Sequence, residues 1–215
     1  FTGDLPTTGE ALTGTFADDT SVIATARELP EANSKVQRDL DLKLDWARAW
    51  RIAFNGAKSV HVIFTNRGMV YIPIMMNGQP IPYADNAKYL GLTLDAKLRW
   101  KHHVKVKRNQ LNIKLKRMYW MLGPSSSLSQ SNKILLYKQV LRPIWAYGCE
   151  LWGCTKKSNR YLIESFQSKT LRMISGAPWL IRNEDIRKGL NCEEVSEIIQ
   201  RSAEREARIE ATSTL

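Results

Sequence analysis

Leu12-Thr13-Gly14-Thr15-Phe16-Ala17-Asp18-Asp19-Thr20-Ser21-Val22-Ile23-Ala24-Thr25 is the stretch on which the reading of this chain turns. Two short runs rich in β-branched and aromatic residues flank Ala17-Asp18-Asp19, which predicts two strands joined by a tight turn. Such a hairpin carries two carboxylates at its tip. At an effective dielectric of about 20, like charges ~4 Å apart repel by on the order of 4 kcal/mol, against about 1 kcal/mol in bulk water. An exposed turn tolerates that repulsion, and Asp is a common turn residue. A cleft requires a cation there, and hard oxygen donors select Mg²⁺ or Mn²⁺. On the hairpin alone, Asp18 and Asp19 fit either a plain turn or a metal site.

Downstream, Pro30 and Glu31 open a helix, with Asn33 or Ser34 as the other candidate N-caps. Val36, Leu40, Leu44 and Ala47 form one apolar stripe, while Asp39, Asp41, Lys43 and Asp45 fall largely on the wet face. The helix should end near Trp50, where Arg51 to Phe54 becomes extended and Asn55-Gly56 turns the chain. Lys58 leads a predicted strand, Ser59 to Thr65, apolar on both faces. That makes an α/β unit packed on a sheet. Tyr71 to Met76 reads as a strand and Asn77-Gly78 as a hairpin turn. Gln79 to Tyr83 carries Pro80 and Pro82, so it is an edge strand or an extended loop. Lys88 to Asp95 reads as one more strand, whose central Gly91 suggests a bulge or a close approach by another backbone or ligand.

Beyond Asp95 the chain turns helical and basic. From Ala96 to Cys149 there are twelve Lys or Arg and no Asp or Glu, although the whole chain has a net charge of only +11. A concentrated block of one sign indicates a polyanionic partner. Membrane lipid fits less well than nucleic acid, because the block is rich in Trp, Tyr and core-spaced leucines. Trp100, Val104, Leu111, Leu115, Met118 and Leu122 share a helical face, and Lys101, Lys105, Lys107, Arg108, Lys114, Lys116 and Arg117 crowd the rest. Those cations can track phosphates without reading sequence. Trp100 and Trp120 are expected in the core rather than stacked on bases. His102-His103 lacks partners at metal-ligand spacing and is expected at the surface near phosphate. Gly123-Pro124 stops the helix, and Ser125 to Ser131 is a polar linker. A second helix, Ile134 to Trp145, should kink or end near Leu141 because of Pro143. A third, which Trp152 helps to supply, runs from about Asn159 to Ser175, and Asn183 to Leu215 is a charged helical tail.

With 215 residues and 43% apolar composition, the chain can form one large domain or two small ones. No apolar run approaches the roughly 18–20 residues of a membrane span, and no signal-peptide pattern opens the chain. Three cysteines without zinc-finger spacing read as reduced thiols, which predicts the nucleus or cytoplasm rather than secretion. The start at Phe1, in loop-like sequence, reads as a piece of a longer polypeptide.

In order, these elements resemble the C-terminal half of a reverse transcriptase from a non-LTR retrotransposon, most closely the jockey-like elements of insects. The resemblance rests on Phe16-Ala17-Asp18-Asp19-Thr20, the helix ending in Trp46 and Trp50, Asn55-Gly56-Ala57-Lys58-Ser59, and Lys88-Tyr89-Leu90-Gly91 with Asp95. Arg142-Pro143-Ile144-Trp145-Ala146-Tyr147-Gly148, Leu151-Trp152-Gly153 and Gln167-Ser168-Lys169-Thr170-Leu171-Arg172 continue it, and it weakens after about Pro178.

The resemblance implies an α+β chain: a partial right-hand polymerase palm (an antiparallel sheet with a packed helix) followed by an all-helical thumb. It divides the chain into palm at 1–95, basic thumb at 96–177 and charged tail at 178–215. It implies RNA-directed DNA synthesis by two-metal nucleotidyl transfer, with Mg²⁺ or Mn²⁺ on Asp18 and, as auxiliary ligand, Asp19. Lys58 would stabilise the departing pyrophosphate, where the bland alternative is a solvated lysine after a turn. Tyr89, Leu90 and Gly91 would form the primer grip, where the alternative is a buried tyrosine beside a bulge. The partners implied are an RNA template and a DNA primer, with deoxynucleoside triphosphates in the complete enzyme, and no membrane. The family's other essential aspartate lies on a strand that would precede Phe1, so the chain alone is expected to be inactive. A non-catalytic nucleic-acid-binding remnant and a decayed element are the competing expectations.

Overall fold

The computed structural model describes residues 3–67 and 71–213. It divides into two compact units, Phe1–Leu98 and Arg99–Leu215.

The first unit opens with the predicted hairpin. Strand β1 (Leu12–Phe16) pairs antiparallel with β2 (Asp19–Ile23), and Phe16 sits opposite Asp19. Ala17 takes a left-handed conformation, φ 53°, so Ala17 and Asp18 form the two-residue turn while Asp19 already belongs to the ladder. Helix α1 (Leu29–Ala49) follows, with Pro30 in its first turn. Its N-cap is Glu28, without a side-chain cap bond. Asn33 and Ser34 lie inside the helix instead: Asn33 Nδ2 donates to the Ile72 carbonyl at 2.8 Å and Ser34 Oγ to the Pro30 carbonyl at 2.8 Å.

The apolar stripe of α1 does the packing expected of it. Leu40 and Leu44 join Ile74, Met76 and Ile81 in a buried cluster flanked by Val36 and Phe54. Each such side chain contributes about 1.5–3 kcal/mol on full burial. The wet-face expectation holds for Asp41 and Asp45, which are exposed, and fails for Asp39 and Lys43, which are buried as an ion pair.

Three separate two-stranded sheets take the place of one sheet among the described residues. Among the described residues, Ser59 to Thr65 forms no ladder. His61 makes a lone parallel bridge to Tyr83, its N–H donating to the Pro82 carbonyl at 2.9 Å. The physical reason lies in Pro80 and Pro82, which remove donors that a continuing strand would need. Within Tyr71 to Met76 only β3 (Met75–Met76) pairs, with β4 (Gln79–Pro80). Asn77 and Gly78 turn between them at φ 51° and 76°. Lys88 to Asp95 is a hairpin rather than one strand: β5 (Asn86–Tyr89) pairs antiparallel with β6 (Leu92–Asp95). Leu90 and Gly91, at φ 44° and 76°, are its turn. Positive φ at both central residues matches the twist of flanking strands, so this glycine serves a type I′ turn and not a bulge.

The second unit is helical: α2 (Lys101–Leu122), α3 (Gln130–Leu136), α4 (Arg142–Ala146), α5 (Cys149–Trp152), α6 (Lys157–Ser175), α7 (Asn183–Gly189) and α8 (Val195–Ser213). Ser129 caps α3 inside the predicted polar linker, its Oγ accepting from the Asn132 N–H at 3.2 Å. Pro143 does not end the helical run at Leu141; the departure from regular α-helix there is a π turn. One π-helical turn, Tyr137–Leu141, joins α3 to α4 and places Pro143 in the first turn of α4. A wider turn there accommodates the missing N–H and the ring. Trp152 lies in α5 rather than in the third helix. The helical tail consists of two helices, interrupted at Leu190 to Glu194, where Cys192 is buried and its N–H donates to the Arg187 carbonyl at 3.0 Å. No helix among the described residues is long and apolar enough to cross a membrane.

Candidate functional site

Asp18 and Asp19 are both exposed at the tip of the β1–β2 hairpin. Among the described residues neither carboxylate takes part in an ion pair or side-chain hydrogen bond, so their oxygens are open to a ligand. The hairpin behind them is anchored. Asp39 on α1 accepts from the Thr8 N–H at 2.9 Å, from the Thr8 hydroxyl at 3.3 Å and from the Thr13 hydroxyl of β1 at 3.4 Å. Its partner is Lys43, one helical turn on, whose Nζ also donates to the Pro6 carbonyl at 3.0 Å. Burial pushes the Asp39 pKa up, but the Lys43 and Thr8 hydrogen bonds and the Lys43 charge outweigh it and hold the carboxyl below its usual value. The sequence signal was an Asp and a Lys four apart beside an apolar stripe, a spacing that permits a pair but does not show that it turns inward.

Tyr89 is brought to this hairpin. A Cβ added at Gly14 of β1 would lie 2.9 Å from Ser21 Oγ and 3.3 Å from the Tyr89 hydroxyl. The glycine therefore gives the tip of Tyr89 a seat on the acid hairpin. Leu90 and Gly91 turn the chain just beyond it. Lys58 is exposed on the turn after α1, its N–H donating to the Asn55 carbonyl at 3.1 Å, and it forms no ion pair with Asp18 or Asp19. No group of three or more His, Cys, Asp or Glu among the described residues is arranged to hold a metal. Two carboxylates do suit Mg²⁺, which binds through one or two of them and fills its octahedron with water and substrate phosphates. The donor chemistry therefore fits the hard divalent ion that the sequence suggested.

On α2, Lys101, Lys105, Lys114, Lys116 and Arg117 are exposed. Lys107 and Arg108 turn to the flank: Lys107 Nζ lies 5.7 Å from the Tyr147 ring centroid and the Arg108 guanidinium 4.9 Å from that of Phe166. Burial lowers the Arg108 pKa from its ordinary value. Lys133, counted in the basic block, is also buried, and its Nζ donates to the Gly123 carbonyl at 2.9 Å and the Ser126 carbonyl at 3.3 Å just past the end of α2.

Two expectations are corrected here. Trp100 is buried as expected, but Trp120 is 74% exposed. Counting could have found this: Trp120 stands two residues from both Met118 and Leu122, about 200° around the helix from each. His102 is exposed but His103 is not. The His103 ring lies edge-on to Trp100 at 5.8 Å and tilted against Trp152 at 6.4 Å. Burial, helped by the charges of Lys107 and His102, lowers its pKa to about 4. A histidine on the apolar edge of the stripe, one residue from Val104, was the available signal.

No family model matches the chain, and no solved structure matches it. Curated relatives do. The "Probable RNA-directed DNA polymerase from transposon X-element" of Drosophila melanogaster is 36% identical over 202 residues, covering 94% of this chain and 22% of that protein. The "RNA-directed DNA polymerase from mobile element jockey" of the same species is 34% identical over 213 residues, covering 95% and 23%. Its Drosophila funebris counterpart is 30% identical over 213 residues, again 95% and 23%. The chain thus spans less than a quarter of the length of these relatives.

Proposed function

The chain is homologous to a segment of the RNA-directed DNA polymerases of jockey-like non-LTR mobile elements, and from that premise we propose that it supplies their acid hairpin and a nucleic-acid-binding helical unit. The observation that carries the reading is the β1–β2 hairpin: two open carboxylates at its tip, an ion-paired anchor behind β1 and the Tyr89 hydroxyl against Gly14.

In this reading residues 1–95 belong to the palm, 96–177 to the thumb and 178–215 to a tail. Asp18, with Asp19 beside it, holds Mg²⁺ or Mn²⁺. When bound, such ions supply Lewis-acid activation of the attacking 3′-hydroxyl and neutralise charge at the leaving pyrophosphate. Lys58 contributes an ammonium for that pyrophosphate. Tyr89, Leu90 and Gly91 support the primer strand, the hairpin turn letting backbone approach it closely. Lys101, Lys105, Lys114 and Arg117 meet the phosphates of an RNA–DNA duplex, and Lys107 and Arg108 add charge from the helix flank. The setting is the nucleus or cytoplasm, where template RNA, primer DNA and deoxynucleoside triphosphates are present.

The chain by itself carries two acidic ligands in one hairpin, whereas holding two ions takes carboxylates from neighbouring strands. It is therefore expected to bind duplex without extending a primer. A second reading, nucleic-acid binding without catalysis, draws on the exposed cations of α2 and needs no metal.

Titration with substoichiometric Mn²⁺, followed by NMR line broadening, separates the two. Selective broadening of the amides of Phe16 to Thr20, lost in Asp18→Asn, supports the catalytic reading. Uniform or absent broadening supports the binding-only reading.

A further inference from the structure

A second cationic and aromatic surface lies on the side of α6 opposite its core. Lys157, Tyr161, Glu164, Ser168 and Arg172 recur every three to four residues along that side, whereas Ile163, Phe166, Leu171 and Ile174 are buried. From Lys156 to Arg182 the sequence has six Lys or Arg and one acid, Glu164. Two hollows of about 400 and 450 Å³ run along this face, and because both are lined by Tyr161, Glu164 and Glu194 they form one trough.

The far wall of the trough is a built loop. Arg172 donates through Nη1 to the Pro178 carbonyl and through Nη2 to the Ile181 carbonyl at 2.7 Å and Asn183 Oδ1 at 2.8 Å. With its backbone clamped in this way, the loop presents Trp179 at 84% exposure, and Tyr161 stands 64% exposed within the trough. The five cations of the trough outnumber its two acids, and Arg187 pairs with Glu194 at 3.6 Å. The Nε of Arg160 is buried and donates to no acceptor among the described residues.

We propose that this trough binds single-stranded nucleic acid, with bases stacked on Tyr161 and Trp179 and phosphates drawn to Lys157, Arg160 and Lys169. Flat rings open to solvent stack on unpaired bases of any sequence, and a cationic groove follows the backbone. A duplex hides its base faces and would gain nothing from Trp179. The surface is separate in sequence from the α2 cations assigned to duplex binding, and the proposal goes beyond that assignment.

The test is fluorescence anisotropy of the whole 215-residue chain with a labelled 12-nucleotide single strand and an RNA–DNA duplex of equal length. Trp179→Ala, a surface change whose fold is checked by circular dichroism, is expected to weaken single-strand binding about 5- to 100-fold. Trp179→Phe should retain most of the affinity, and duplex affinity should stay within about twofold. Lys169→Glu should weaken single-strand binding and flatten its salt dependence. Lys105→Glu on α2 is expected to do the converse, so failure of this proposal and failure of the duplex assignment give different patterns. Unchanged single-strand affinity in Trp179→Ala, or an equal loss for duplex, overturns the proposal. So does Trp179-dependent self-association in sedimentation without an effect on oligonucleotides, which would assign the loop to a protein contact.

Discussion

Single buried ionisable side chains set much of how this molecule should respond to pH. His103 is neutral in the folded helical unit, with a pKa of about 4 against an ordinary 6.5. As pH falls through 6.5 the unfolded chain takes the proton first, so stability is full above about 6.5 and erodes until about 4. The linkage amounts to on the order of 3 kcal/mol. His103→Gln, followed by urea denaturation at pH 7 and pH 4.5, should remove most of that slope. Asp39 acts in a lower window. Its folded pKa lies below the ordinary 3.8, so its contribution is present above that value and is lost as pH falls through the folded pKa. Asp39→Ala strands Lys43 as a buried charge and should cost about 3–5 kcal/mol at neutral pH. Asp39→Leu combined with Lys43→Met should recover much of the loss in the same unfolding measurement. The inward turn of Asp39 and Lys43 is not legible in the sequence, because a helical stripe specifies which angle is apolar and not how far its edge extends. Asp39 and Lys43 satisfy each other, so the charge that marks them as surface residues is cancelled in the fold.

At the scale of elements, what was legible followed periodicity and turn chemistry. The β1–β2 hairpin, the span of α1, the basic helix and its stop at Gly123 were all readable from a handful of residues. The misses are pairing decisions. Ser59 to Thr65 has the composition of a buried strand, yet a ladder needs a partner with free donors, and the prolines of the neighbouring segment supply few. Leu90-Gly91 reads as mid-strand, and the positive φ that Leu90 takes in the turn is one that leucine rarely adopts. Pro143 predicts a kink or an end near Leu141, and sequence does not announce that a π turn takes it up. Helix α2 carries the prediction proper to this scale. Lys105→Glu and Lys116→Glu reverse exposed charges and should leave its buried stripe intact. Each should weaken RNA–DNA duplex binding and lower the slope of log affinity against log salt by about one. Lys133→Met should act differently, lowering stability by removing the donor to the Gly123 and Ser126 carbonyls, by about 1–3 kcal/mol in thermal unfolding, with little change in the salt slope.

At the scale of the whole molecule, the division of charge was the most legible property. The block between Ala96 and Cys149 holds the excess of Lys and Arg, and all of its cations but Lys97 fall within the helical unit that begins at Arg99. The second cationic face on α6 was hidden because its cations are interleaved with a core stripe and its Trp179 lies in a loop. The central claim is that Asp18 heads a catalytic hairpin, not merely a turn. It is tested most directly by exchanging this chain for the matching segment of the jockey polymerase and measuring primer extension on an RNA template with Mg²⁺. The account predicts incorporation by the exchanged enzyme and a loss of more than about a hundredfold on Asp18→Asn, with duplex binding retained. Equal incorporation with Asp18 and with Asn at that position would contradict it.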